Sequence, residues 1–92
     1  SLEDLKGLGP RFNHIICNPP FHIGNAKNVE LLKSFVFISS QLITQKGIVW
    51  MVFVSGVYFE NDLKKCFNYV KSLYKDKNYC VYQLLKPKKL EV

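Results

Sequence analysis

Arginine is nearly absent from this sequence, and cysteine, glycine and long apolar runs are scarce. Arg11 stands alone beside the lysines in a combined Lys and Arg total of 13. Cys17, Cys66 and Cys80 are odd in number, far apart and in no C-x-x-C arrangement. Neither a disulfide framework nor a zinc site is therefore expected, and reduced, buried thiols of a cytoplasmic protein are the reading that remains. The longest apolar run, Ile48 to Val54, is too short to cross a bilayer, and no secretory signal opens the chain, so no membrane partner is expected. Gly7-Leu8-Gly9 lacks a preceding strand and a third glycine and runs into Pro10, which makes it a turn and not a phosphate loop. The first residue is Ser1 and not Met, from which an excerpt of a longer chain is expected.

What is present wants a core. Of 92 residues, 48% are apolar and seven are Phe, too hydrophobic a composition for disorder. A chain this short buries only about 60% of the surface its unfolded form exposes, so one domain or part of one is expected. The formal charge of +6 adds a bias toward polyanions such as nucleic acid.

Periodicity divides the chain. Phe12 to Cys17 is apolar and suited to a pleat, and the prolines after Asn18 stop it abruptly, predicting a strand that ends in a constrained corner. Past a loop at 21–27, Asn28 suits an N-cap, and Leu31, Leu32, Phe35, Ile38 and Leu42 recur at helical spacing. Lys46 and Gly47 are expected to close that helix. Ile48 to Val54, apolar on both alternating faces, reads as a central strand covered on two sides. Strand, helix, strand with a parallel crossover is the simplest topology. From Asn61 to Leu85 the pattern fits one long amphipathic helix or two strands joined by Lys75-Asp76-Lys77-Asn78, and the aromatic and β-branched content favours a short helix at Asn61–Cys66 followed by the hairpin. The basic segment 86–92 is expected to fray.

Chemistry concentrates at Asn18-Pro19-Pro20-Phe21. The nitrogen of an amine attached to a nucleobase or amide is a poor nucleophile, because its lone pair is delocalised. An Asn side-chain oxygen and the carbonyl of Pro19 can accept its two N–H hydrogens and free that lone pair. The prolines fix φ and so place both acceptors before a substrate arrives. Phe21 can stack on a planar base. A site at the carboxyl end of a strand is also where ligands bind in open α/β sheets. His22 can meet a phosphate or the substrate, His14 reads as structural, and Lys86, Lys88 and Lys89 as a solvated basic tail.

The segment Arg11-Phe12-Asn13-His14-Ile15-Ile16-Cys17-Asn18-Pro19-Pro20-Phe21-His22-Ile23-Gly24 resembles the methyltransferase small-domain family, and most closely its bacterial 16S ribosomal RNA guanine-N2 (small subunit methyltransferase C type) group. The likeness continues through the helix, the strand after Gly47 and the Tyr79-Cys80-Val81-Tyr82 segment. It implies an α/β fold, the C-terminal half of a Rossmann-like class I S-adenosylmethionine-dependent methyltransferase domain. Residues 1–92 would then be a partial domain, its substrate-binding half, with a basic tail at 86–92.

It implies further that Asn18, Pro19, Pro20 and Phe21 are catalytic, that Phe21, His22 and Gly24 bind substrate, and that Asn18 also touches the cofactor, S-adenosyl-L-methionine. The partner implied is ribosomal RNA or the small ribosomal subunit, with no metal. Two departures stand out: Ile23 replaces the family's usual acidic residue or Val, and Val54-Ser55 stands where an Asn is usual. The family's glycine-rich loop and ribose-binding acid have no counterpart in these residues, so either a cofactor-binding half or self-association is expected to cover the first strand's edge. Adenine-N6 methylation of nucleic acid, glutamine-N5 methylation of protein, and a non-catalytic RNA-binding remnant are the alternatives.

Overall fold

A computed structural model describes residues 9–18, 26–54 and 60–89. In chain order the elements are β1 (Phe12–Cys17), α1 (Ala26–Leu42), β2 (Ile43–Val54), α2 (Glu60–Cys66), β3 (Phe67–Lys75) and β4 (Tyr79–Pro87). The strands form one sheet in the order β1-β2-β4-β3. β1 and β2 are parallel, as a strand–helix–strand crossover requires, and β4 runs antiparallel to both β2 and β3. Strand β1, the short helix α2 and the hairpin therefore lie where the periodicity places them.

Alternation decides which side of the sheet is inside. Val49, Met51 and Phe53 of β2 pair with Leu84, Tyr82 and Cys80 of β4, and all six are buried. Against them pack Leu32 and Val36 of α1, Leu63 of α2 and Phe67 at the head of β3. Burying a side chain of this size stabilises by roughly 1.5–3 kcal/mol. Phe53 and Tyr82 stack with ring centroids 5.6 Å apart. The opposite face carries Trp50, Val52 and Val81 half-buried and Val54 exposed. Among the described residues, helices thus cover one side of β2, where its doubly apolar sequence predicts two.

Three details of α1 depart from the sequence reading. It begins at Ala26, inside the expected loop and two residues before the expected N-cap Asn28. It enters the core cluster through Leu32 and Val36, and Ile38 and Leu42 are also buried, while Leu31 and Phe35 are exposed. The helix also ends at Leu42, before Lys46 and Gly47. Its last carbonyls have found a remote donor: the Lys89 ammonium donates to the carbonyl oxygens of Ser40, Gln41 and Ile43, and the Arg11 amide donates to that of Leu42 at 2.8 Å. A cation at a helix C-terminus suits both the orphan carbonyls and the helix dipole. The segment expected to fray is therefore ordered through Lys89. Lys86 and Pro87 belong to β4, the Lys88 amide donates to the Cys66 carbonyl at 2.8 Å, and the Lys88 ammonium donates to the Lys64 carbonyl at 2.9 Å. Lys86 has a positive φ of 55°, which turns the strand so that Leu84 and Pro87 both face inward.

Gly47 lies inside β2, within an irregular stretch where Phe12 pairs with Ile43 but His14 pairs with Ile48. A Cβ there would stand 2.9 Å from the Asn13 carbonyl oxygen and 2.6 Å from Ile43 Cγ1. The glycine is needed for the close approach of β1 to β2. Gly47→Ala is expected to lower stability by about 1–3 kcal/mol, as overpacking does, through a shift of β1. An unchanged urea midpoint would remove this role from Gly47.

Candidate active site

Strand β1 is fixed at one end and open at the other. At its start, Asn13 Oδ1 accepts a hydrogen bond from Thr44 Oγ1 at 3.0 Å, and Arg11 is tied to the end of α1. Along the strand, Ile15 and Cys17 face the helices opposite Val49 and Met51, whereas His14 and Ile16 face the other side. His14 stacks on Trp50 with centroids 5.7 Å apart and planes 13° from parallel, which gives it the structural role its place in the strand predicts. Immediately after Cys17 comes Asn18, exposed, at the carboxyl end of the parallel pair. Pro19, Pro20, Phe21, His22 and Gly24 lie outside the described residues.

Thiol chemistry beside Asn18 is weak. Burial pushes the Cys17 thiol above its ordinary pKa, and the Cys66 thiol likewise, chiefly by burial. Cys80 is buried, and its thiol donates to the Phe53 carbonyl oxygen at 3.4 Å. None of the three is an activated thiolate nucleophile. Among the described residues no group of three or more His, Cys, Asp or Glu side chains could hold a metal ion, and no helix is long and apolar enough to cross a membrane.

The same end of the sheet carries a second polar feature. Val54 pairs with Tyr79, so the turn between β3 and β4 sits beyond the carboxyl end of β2, on the side of Asn18. The Asp76 carboxylate shapes that turn, accepting from the amides of Asn78 and Tyr79 at 2.7 Å each and from the Tyr74 hydroxyl at 2.6 Å. The Tyr74 hydroxyl first, and then the two amides, hold its pKa below the usual carboxylate range. This stabilisation is present above the ordinary carboxylate pKa and is lost as pH falls through the lowered value. Sequence reading places the turn but not its neighbourhood, because that depends on β4 inserting between β2 and β3. Lys88 and Lys89, by contrast, are engaged by backbone carbonyls, Lys88 by that of Lys64 in α2 and Lys89 by those at the end of α1, away from Asn18.

An exposed amide thus stands at the carboxyl end of a parallel strand in a mixed sheet with a crossover helix, the end at which open α/β sheets bind ligands. The sequence matches the methyltransferase small domain over residues 3–83, and the chain belongs to that family.

It is 30% identical over 88 residues to a ribosomal RNA small subunit methyltransferase C of Marinomonas sp. (strain MWYL1), covering 96% of this chain and 24% of that protein. The corresponding protein of Buchnera aphidicola subsp. Schizaphis graminum is 35% identical over 85 residues, with 90% of this chain and 25% of that protein covered. In structure the chain is similar to a T. thermophilus 16S rRNA N2 G1207 methyltransferase solved with AdoMet and guanosine. The TM-score is 0.73 at 26% identity, over 86% of this chain and 21% of that one. The mixed sheet is that methyltransferase's fold, and the chain spans about a quarter of the length of the curated relatives it matches.

Proposed function

We propose that this chain is the substrate-orienting part of an S-adenosylmethionine-dependent methyltransferase that acts on an exocyclic amine, the N2 of a guanine in 16S ribosomal RNA. The observation that carries the reading is the exposed Asn18 at the carboxyl end of β1 in a chain of the methyltransferase small-domain family. The names of the relatives supply the ribosomal RNA, and the guanosine bound to the T. thermophilus enzyme supplies the base.

Asn18 Oδ1 accepts one N–H of the amine, the Pro19 carbonyl accepts the other, and the lone pair turns out of conjugation. Phe21 stacks on the base, and His22 and Gly24 line its approach. The cofactor, when bound, supplies the methyl group. The protonated thiol of Cys17 offers no competing nucleophile beside the amine, consistent with direct transfer. A cytoplasmic location follows from a ribosomal substrate and accords with the chain's free thiols. Methyl transfer to RNA by the full-length protein, with and without the Asn18 amide, tests this reading.

The outer edge of β1 has no pairing strand among the described residues, and Ile16 on it is 76% exposed. Such an edge templates pairing with another strand. In the full-length protein it takes a strand of the cofactor-binding part. Expressed alone, the 92-residue chain is expected to self-associate through it. A monodisperse, cooperatively melting monomer in sedimentation and calorimetry would overturn that expectation.

A further inference from the structure

The hairpin end described above carries side chains that amine methylation does not use. Over Tyr69 to Tyr79, three exposed tyrosines, Tyr69, Tyr74 and Tyr79, alternate with three exposed lysines, Lys71, Lys75 and Lys77. Tyr69, Tyr74 and Tyr79 are 40%, 55% and 55% exposed. Among the described residues no salt bridge joins these three lysines to a carboxylate. The one acid of the segment, Asp76, is turned onto its own turn by Tyr74 and the amides of Asn78 and Tyr79. That bond also fixes the Tyr74 ring at the hairpin end.

Register places the group against Asn18. Tyr79 pairs with Val54 and Tyr74 with Val81, so both rings rise on the sheet face opposite α1 and α2, diagonal neighbours at the end where Asn18 stands. From β1 to β3 the order β1-β2-β4-β3 spans three strand spacings, about 14 Å at roughly 4.8 Å each. At about 3.4 Å per stacked nucleotide, that is the reach of roughly four nucleotides.

We infer that the end of the β3–β4 hairpin is a binding surface for the single-stranded RNA flanking the target base, with Tyr74 and Tyr79 stacking on bases and Lys71, on the same face opposite Gln83, and Lys77 in the turn meeting phosphates. Aromatic platforms interleaved with cations are how single strands are held without sequence readout. A strand so held runs from the hairpin toward Asn18 and presents the flipped base there. The inference rests on the amine-methylation reading for its direction, but its binding term is separable from turnover.

The test uses the full-length protein and a single-stranded RNA oligonucleotide of ten nucleotides, with affinity read by fluorescence anisotropy. Tyr79→Ala is expected to weaken binding about tenfold or more, with Tyr79→Phe close to wild type, because the ring and not the hydroxyl carries the contact. Lys71→Gln with Lys77→Gln should reduce the slope of log affinity against log salt by about 1.4, from about 0.7 per phosphate contact. Methylation of free guanosine, which cannot span to the hairpin, should be unchanged in all of these variants.

Wild-type RNA affinity in Tyr79→Ala together with an unaltered salt slope in the lysine variant would overturn the inference. So would an equal loss of affinity for heparin, a polyanion without bases, in Tyr79→Ala. If the amine-methylation reading alone is wrong, the affinity changes persist while Asn18→Ala leaves turnover intact, so the two failures are distinguishable.

Discussion

Asn18→Ala in the full-length protein is expected to lower the rate of methyl transfer to RNA by about 10²–10³-fold, the usual cost of removing one preorganised group from a transition state. S-adenosylmethionine affinity should stay within about threefold. The asymmetry follows from the strand: Asn18 is exposed and lies past the last ladder residue of β1, so its side chain supports no packing whose loss would spread to the fold. An effect confined to kcat separates amine orientation from substrate capture, which would appear in KM. Asn18→Asp is the sharper variant. It keeps the acceptor oxygen and the shape but adds a negative charge, so partial activity from it with none from Asn18→Ala identifies the side-chain oxygen as the acting atom. Turnover retained by Asn18→Ala, measured as radiolabelled methyl incorporation, would remove Asn18 from the mechanism.

Leu84→Ala is expected to cost about 3–4 kcal/mol, within the range for fully buried leucines. Leu84 sits in the central strand β4, paired with Val49 on one side and Val70 on the other, and is 0% exposed. Neighbours on both flanks are held by ladder hydrogen bonds and cannot close over a cavity. A domain of this size has only about 5–14 kcal/mol of stability in total, so the variant should lose a large part of its folded population on mild warming. Far-UV circular dichroism across a urea series measures this. A midpoint within error of wild type would mean that the core is not organised around Leu84. Leu31→Ala, on the exposed side of α1, is the matched control and should shift the midpoint little.

How legible these features are depends on the distance over which each is determined. Strand β1 is written in six adjacent residues and stopped by the two prolines, so local pattern suffices. The hairpin is equally local, since Asp76 closes the turn through its own amides. The end of α1 is not local. Lys46 and Gly47 mimic a C-terminus, but the donor that satisfies the last carbonyls is Lys89, more than forty residues on, and Gly47 is retained for the approach of β1. The inward stripe of α1 likewise depends on where α2 and the sheet lie, which made Leu31 and Phe35 look buried from spacing alone. For the site, Asn18 is legible from its motif, whereas the tyrosines and lysines of the hairpin become neighbours of Asn18 only through the strand order.

That strand order also dictates the timing of assembly. Of the described strands β4 is the last to be synthesised, yet it lies between β2 and β3. Until it emerges, β2 has one side unpaired and β3 no partner among the described strands, so these four strands cannot join into one sheet. The β2–β4 pairing that joins the hairpin to the rest is non-local, and such pairing forms slowly. Lys89, arriving last of all the described residues, then latches α1 to the finished sheet.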